Sequence, residues 1–538
     1  MKRKIKRIFQ KSNLLQIYEK YFFLFLIFFI SYIIRRIGLQ YGFPLLTHPD
    51  EVFSLDPVFN MTVNKSLNSN TFNRPDQILL PLNFFYLNLV SYFHYGKSMA
   101  HTFWENQLTF YYYGRLLICI LGSIIPLVAF KIGKEFKIDF SIPAAFVFSF
   151  FPSYVIHSHF ITPDIPITLI TLLIILFSIK FLNTQKVNYL YLATIFSAIN
   201  TAEKYPGLLS IVIIFATFLI HVFQKDESTT LSKASFLLKG GLRIFGIFFI
   251  ALYALAPNIF IEFGKVIQTI QYEARSTHLG ADNLGWFGNM VFYFESFSSF
   301  TNIFAIIFLS VGLIYIIKHK NINFVLLFYG IFYWVSLSYL SLHWERWALP
   351  MYITPLLIVS IGITNLFYIT RDKKILRIIS SVIIVGFIAH QLLYSLSASI
   401  KLSFTDTRVV ALEYCIENGI TRENSIYEGY TPFNSQNPGN IFDFDINNLI
   451  DKKYIILSSG MYDRYHFEPV RYKDAVNFYK ELRNNNIKLI EIKDTVVNHG
   501  KLREAVDNIV YYIKIFIRLI PVERYNGPTI QIYEIIRN

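Results

Sequence analysis

Two cysteines among 538 residues leave little room for disulfide or thiol chemistry. Cys119 lies inside an apolar run and Cys415 in a polar tail, so no structural disulfide is expected and cysteine usage does not fix the redox compartment. Charge is scarce too. Only 16% of the residues are Asp, Glu, Lys or Arg, against 54% hydrophobic and 18% aromatic. Apolar runs near twenty residues recur along most of the length, which excludes an ordinary soluble globule and gives an α-helical polytopic membrane protein. The net charge of +14 does not point to nucleic acid, because Lys and Arg fall in short clusters between apolar runs. There they set membrane orientation or meet anionic lipid.

Familiar catalytic signatures are missing. No HExxH, CxxC or GxSxG occurs. YGKS (95–98) resembles the end of a phosphate loop, but the glycine needed five residues before Gly96 is Ser91 and no strand leads into it. HSH (157–159) is not a metal motif on a helix, where residues two apart point away from each other. Neither an internal repeat nor a low-complexity segment is present.

Spans are expected near 20–40, 114–133, 141–157, 165–182, 188–203, 206–223, 236–256, 300–317, 323–341, 347–368 and 375–396, about eleven transmembrane helices of bilayer length. MKRKIKR precedes the first run without a small-residue cleavage site, which reads as an uncleaved anchor with a cytoplasmic N-terminus. Alternation then puts KIGKEFK (131–137), Lys180 to Lys186, QKDE (224–227), KHK (318–320) and RDKKILR (371–377) on the cytoplasmic side, as the positive-inside rule requires. The non-cytosolic side receives the loop 41–113, the Asp164 connection, Lys204, residues 257–299, His343 to Arg346 and the tail. In the plasma or inner membrane, this gives a membrane domain over 1–399 and a small mixed α/β extracytoplasmic domain over 400–538. Within it KYIILSS (453–459) reads as a buried strand and DAVNFYKELRNNN (474–486) as a helix. ILLPLNFFYLNLVSYF (78–93) and NIFIEFGKVIQTIQYEA (258–274) read as helices lying along the interface.

One set of residues stands out against so little charge. THPDE (47–51) places Asp50 and Glu51 just beyond YFFLFLIFFISYII (21–34), and ionisable residues so close to a bilayer carry function by default. Arg115, Asp164, Lys204 and Arg346 stand at the outer ends of other spans. Each alone has a plain structural explanation, as an interfacial anchor, a snorkelling side chain or a helix cap. Together, acids and bases at one membrane face make a pocket pattern.

THPDE, YYYGRLLICILGS (111–123), HSHFITPDIP (157–166), TAEKYPGLL (201–209) and ERWALPMY (345–352) resemble, in that order, the GT-C glycosyltransferases that use polyprenyl-phosphate sugars. The likeness is to the protein O-mannosyltransferases and the lipid A aminoarabinose transferases (glycosyltransferase families 39 and 83). It spans roughly 15–370, is strongest over 41–209 and says little of the tail. The resemblance implies a GT-C fold and an undecaprenyl- or dolichyl-phosphate sugar donor. Transfer would be inverting, to a hydroxyl or phosphate of a glycan, lipid or protein on the non-cytosolic face. The short cytosolic loops agree, since they leave no room for a nucleotide-binding domain whereas a lipid donor can come in from the bilayer. The match makes Asp50 the catalytic base, Glu51 an orienting acid and Asp164 a second acid for acceptor orientation or support of the basic group. Arg115, Lys204 and Arg346 fall to the donor phosphate. Some relatives hold a divalent metal here; His48 and His278 are the candidates for one. Glu203 stands where the family has a small residue before its lysine. A transporter or flippase of lipid-linked sugars, or a membrane scaffold presenting the tail, are the competing classes; repeated halves would favour the first, and the second gives the clustered charges no purpose.

Overall fold

The computed structural model describes residues 21–72, 75–224, 230–273, 275, 279, 284–437, 452–495, 524–536 and scattered positions between 503 and 514. Lys2 to Arg7, most of QKDE and His278 lie outside the described residues. Among the described residues six helices are long and apolar enough to cross a membrane: Gln107–Lys134, Asp164–Thr184, Tyr205–Phe223, Ala234–Leu255, Glu345–Thr370 and Lys374–Lys401. A seventh is added if Gly285–Ser299 and Ile303–His319, which meet at 108°, count as one broken span.

The remaining expected spans are shorter or interrupted, each for a local reason. Helix Val187–Glu203 stops where Lys204 turns extended ahead of Pro206. Ile322–Phe328 is a 3-10 stretch that passes into the α-helix Tyr329–Leu337. The segment 141–157 is split into Ser141–Ser149 and Pro152–His157, with a proline opening the second piece. That break exposes a carbonyl, and Arg35 from the helix over 21–36 meets it. Its Nη1 donates to Ser149 O at 3.0 Å and its Nε to Ser158 Oγ at 3.2 Å.

Asp164–Thr184 is the innermost helix, and its Ile165, Leu172, Ile174, Ile175 and Ile179 are fully buried. Lys374–Lys401 instead turns Ile375, Val382 and Val385 outward. Where Ile303–His319 crosses Leu349–Thr370, small residues let the backbones meet: a Cβ on Gly362 would lie 1.9 Å from Phe308 O and one on Gly312 2.3 Å from Ile358 O.

The C-terminal region holds a four-stranded sheet in the order Ser425–Tyr427, Tyr454–Ser458, Ile530–Glu534, Ile487–Ile492, the first pair parallel and the others antiparallel. Tyr454–Ser458 is the fully buried strand anticipated at KYIILSS, and Lys473–Asn485 the helix anticipated after it. It packs Phe478, Tyr479 and Leu482 against the sheet. The segment 78–93 forms the helix Leu79–Tyr95, and 258–274 forms Pro257–Ile261 and Phe263–Glu273.

At one end of the bundle the loops meet through polar contacts. Lys180 Nζ lies 3.9 Å from Glu135 Oε1, Asn183 Nδ2 donates to Glu135 O at 2.8 Å, and Asn323 Nδ2 to Asn183 Oδ1 at 3.1 Å. The charged residues singled out in the sequence gather away from that end, around the turn 37–51.

Candidate active site

Three acid–base pairs bring together the six charged residues marked in the sequence. Glu51 and Arg115 form the innermost. Arg115 Nε and Nη2 donate to the two Glu51 oxygens at 2.9 and 2.7 Å, and both side chains are fully buried. Nη1 of Arg115 donates to Leu39 O and Tyr41 O at 2.9 and 3.0 Å, and the Tyr41 ring covers the guanidinium at 3.7 Å. The backbone N–H of Ile161 adds a donor to Glu51 Oε1 at 3.2 Å. A planar cation clasped on both prongs and backed by two carbonyls is a rigid floor.

The other two pairs are more open. Lys204 Nζ reaches Asp164 Oδ1 at 2.6 Å; the Lys204 side chain is 14% exposed, whereas Asp164 is buried. Arg346 Nη1 donates to Asp50 Oδ2, and these side chains are 26% and 21% exposed. Arg346 is also within electrostatic range of Asp164, and Lys204 Nζ sits 5.8 Å from the Trp347 ring, one residue beyond Arg346. Asp50, Arg346, Lys204 and Asp164 therefore form one network. The structural cause is local: Asp164 opens the central helix, Lys204 ends its neighbour in an extended conformation, and Arg346 lies in a 3-10 turn before Leu349–Thr370.

His48 stacks on Phe160 at 4.3 Å, and its Nδ1 accepts the Asp50 N–H at 3.3 Å. The residue is half-buried, and burial of the imidazole pulls its pKa down to about 4. A neutral imidazole could serve as a ligand, but among the described residues no three His, Cys, Asp or Glu side chains are arranged to hold a metal ion. The acids beside it are engaged by cations instead. His157 lies 3.4 Å from Glu345 Oε1 rather than beside His159, which is buried and bonded to Val155 and Ile37 carbonyls.

Two contributors have roles that the sequence reading did not assign. Glu203 Oε2 accepts the backbone N–H groups of Ile78 and Leu79 at 3.0 and 2.9 Å. It thus places a carboxylate at the N-terminus of Leu79–Tyr95, where the helix dipole favours it. The second contributor is the C-terminal region, which reaches the THPDE turn: Gln436 Nε2 donates to His48 O at 3.4 Å and to Tyr111 Oη at 3.3 Å.

Residues 113–257 match the family model of dolichyl-phosphate-mannose-protein mannosyltransferase. No curated protein sequence matches the chain. Among solved structures, the chain is similar to the Archaeoglobus fulgidus oligosaccharyltransferase in complex with Zn and sulfate, at 10% identity over 94% of this chain and 88% of that one, TM-score 0.50. It is also similar to ArnT from Cupriavidus metallidurans bound to undecaprenyl phosphate, at 12% identity over 74% and 73% of the two chains, TM-score 0.43. At such identities the first likeness speaks for the fold. With the family match over 113–257, which contains Arg115, Asp164 and Lys204, the chain is an integral, multi-pass membrane protein with a GT-C-like fold, a glycosyltransferase that uses a lipid-phosphate sugar donor.

Proposed function

We propose that this protein transfers a sugar from undecaprenyl or dolichyl phosphate to an acceptor hydroxyl or phosphate on the non-cytosolic face, with inversion at the anomeric carbon. The observation that carries this reading is the linked pair of ion pairs whose cations stay partly exposed, Asp50–Arg346 and Asp164–Lys204. In each, an acid occupies a cation that a phosphate could take over, and the released carboxylate is left beside the reacting centre.

The roles follow from that exchange. The acceptor oxygen attacks the anomeric carbon while Asp50 takes its proton, and the bond from that carbon to the phosphate oxygen breaks with its electron pair leaving on the phosphate. Lys204 and Arg346 meet the charge that develops there, with the Trp347 ring 5.8 Å from Lys204 Nζ. Asp164 holds Lys204 until the donor binds and then orients the acceptor. Glu51 acts on Arg115, and the expected phosphate role of Arg115 gives way in this reading to bracing the turn that carries Asp50, because its prongs are already taken.

The finer architecture belongs to the same proposal. The shorter helices at 21–36, 141–157, 187–203 and 322–337 join the long ones to give about eleven crossings. Residues 1–399 then form the membrane domain, and 400–538 an extracytoplasmic domain on the same face as the site. The test is transfer by the purified full-length protein in nanodiscs, offered synthetic undecaprenyl-phosphate mannose, glucose or aminoarabinose with a serine peptide, a methyl glycoside and a lipid A precursor as acceptors. Glycosylated product of inverted configuration together with free undecaprenyl phosphate is expected. Flip of the donor across the bilayer with no product from any combination would replace this reading by a flippase.

A further inference from the structure

The turn bearing Asp50 is held from outside the membrane bundle. Carbonyls of three consecutive residues just ahead of Pro49 and Asp50 are each taken by a side chain of the C-terminal region. Ser435 Oγ donates to Leu46 O at 2.7 Å, Arg408 Nη1 to Thr47 O at 3.0 Å and Gln436 Nε2 to His48 O at 3.4 Å. Arg408 is itself fixed. Its Nε and Nη2 donate to the two Asp406 oxygens at 2.8 and 2.7 Å, and its Nη1 also reaches Ser435 O at 3.1 Å. Arg408, Asp406 and Thr47 are all buried.

The anchor under Arg408 is rigid in turn. Asp406 caps the helix Thr407–Glu417 by accepting the Arg408 N–H at 2.9 Å, and Thr405–Asp406 pairs with Tyr525–Asn526 as a short parallel ladder. Gly527 lies against this cap with φ +142, where a Cβ would come 2.5 Å from Thr407 Oγ1 and 3.2 Å from Asp406 Oδ1. Only glycine fits there. A planar, bidentate guanidinium transmits that rigidity in a way that a flexible ammonium cannot.

We propose that Arg408 is a positioning residue: braced by Asp406, it fixes the THPDE turn so that Asp50 is aimed at the acceptor, which makes the C-terminal region a working part of the site. This rests on Asp50 acting as the base. A merely structural tie would lower the yield of folded protein and leave kcat per folded molecule intact. An aiming role lowers kcat with donor KM unchanged, since displacing a reacting group by about 1 Å can cost on the order of a hundredfold.

The experiment is a double-mutant cycle on the full-length protein in nanodiscs, scored as kcat per monodisperse molecule for release of undecaprenyl phosphate from undecaprenyl-phosphate mannose. Arg408→Gln should lower kcat by about tenfold or more with donor KM within about twofold, Arg408→Lys should fail to rescue it, and in an Asp50→Asn background Arg408→Gln should add nothing. Should Arg408→Gln not fold, the double variant Ser435→Ala/Gln436→Ala, which leaves the Asp406 clasp intact, carries the same test and should lower kcat. Parent-like kcat in the variants while Asp50→Asn is inactive overturns this inference alone. Losses that multiply in the double variant also overturn it, because Arg408 would then act independently of Asp50. An Asp50→Asn protein as active as the parent would instead bring down the assignment of the base, and this inference with it.

Discussion

At the scale of single residues, the three ion pairs differ in how firmly they are closed. Arg115 and Glu51 are fully buried, so removing one partner strands a charge at a cost of about 3–5 kcal/mol. Arg115→Met should therefore abolish accumulation of folded protein, read as the monodisperse fraction on size exclusion. Lys204→Met also leaves a buried acid, Asp164, but one that keeps the charge of Arg346 within range, so this variant should fold and yet bind donor more weakly, seen by titrating undecaprenyl-phosphate mannose. Equal behaviour of the two variants would contradict the division between brace and phosphate ligand. Asp50→Asn keeps size and removes the basic oxygen, so turnover should drop by about two orders of magnitude or more with folding preserved. A different acid governs pH response in the C-terminal region. Glu428 is buried between the Ser458 N–H, 2.5 Å away, and the Tyr479 hydroxyl, 2.8 Å away, with Arg483 and Asp463 nearby, and burial pushes its pKa up to about 8. Its folded pKa lies above its unfolded one, so the stability tied to the protonated acid is complete below about pH 4.5 and is lost as pH rises toward 8. The loss is at most about 1.4 kcal/mol per pH unit. Cys415, buried in the same region, reports opening by its rate of thiol labelling in a Cys119→Ser background. The ratio of the parent's rate to that of Glu428→Gln should climb between pH 5 and pH 8; a flat ratio would show that Glu428 does not titrate there.

At the scale of elements, the sequence shows the ends of helices better than their joints. Asp164, Lys204 and Arg346 were legible because a charge beside a long apolar run is conspicuous, and Tyr454–Ser458 was legible because a buried strand needs a continuous apolar stretch. The break at Phe150 and Phe151 was not, since a single proline is compatible with an unbroken span until Arg35 is seen filling the gap. Glu203 was legible only as an odd residue in AEKY. Its role depends on backbone 125 residues away at Ile78, a separation that leaves no local pattern. That cap makes a prediction: Glu203→Ala leaves two amides, that of Leu79 buried and that of Ile78 partly so, unsatisfied and should loosen the start of Leu79–Tyr95, raising proteolysis between 64 and 72, while Glu203→Gln, still an acceptor, restores most of the protection. Unchanged cleavage in both would show that the helix start is held otherwise. The helix crossing at Gly312 and Gly362 is a second such element. Gly362→Val has no space for its side chain against Phe308 O, and overpacking of that kind costs about 1–3 kcal/mol, so a lower melting temperature is expected.

At the scale of the whole molecule, polarity along the membrane normal ties the parts together. The loops around Glu135, Asn183 and Asn323 touch at one end of the bundle, whereas Asp50, Asp164, Lys204 and Arg346 meet at the other ends of the helices that run between them. Gln107–Lys134, at 28 residues about 42 Å long, joins the Arg115 end to the Lys131–Lys134 end. The contacts of Ser435, Arg408 and Gln436 with the THPDE turn put the C-terminal region on the site's face. Orientation is thus one binary choice for every loop at once. The positive clusters at 131–137, 180–186, 318–320 and 371–377 favour the cytoplasm for the loop end, and the orientation proposed above, with the site and the C-terminal region outside, rests on them. Both native cysteines are buried, so single introduced cysteines can be read against a low background. In sealed cells an impermeant maleimide should label Lys65→Cys in the loop before Leu79–Tyr95 and Glu417→Cys in the C-terminal region, and should reach Lys320→Cys only after permeabilisation. External labelling of Lys320→Cys would invert the whole molecule. Labelling of Lys65→Cys without Glu417→Cys would break the contact between the THPDE turn and the C-terminal region, and with it the path by which Arg408 can act on Asp50.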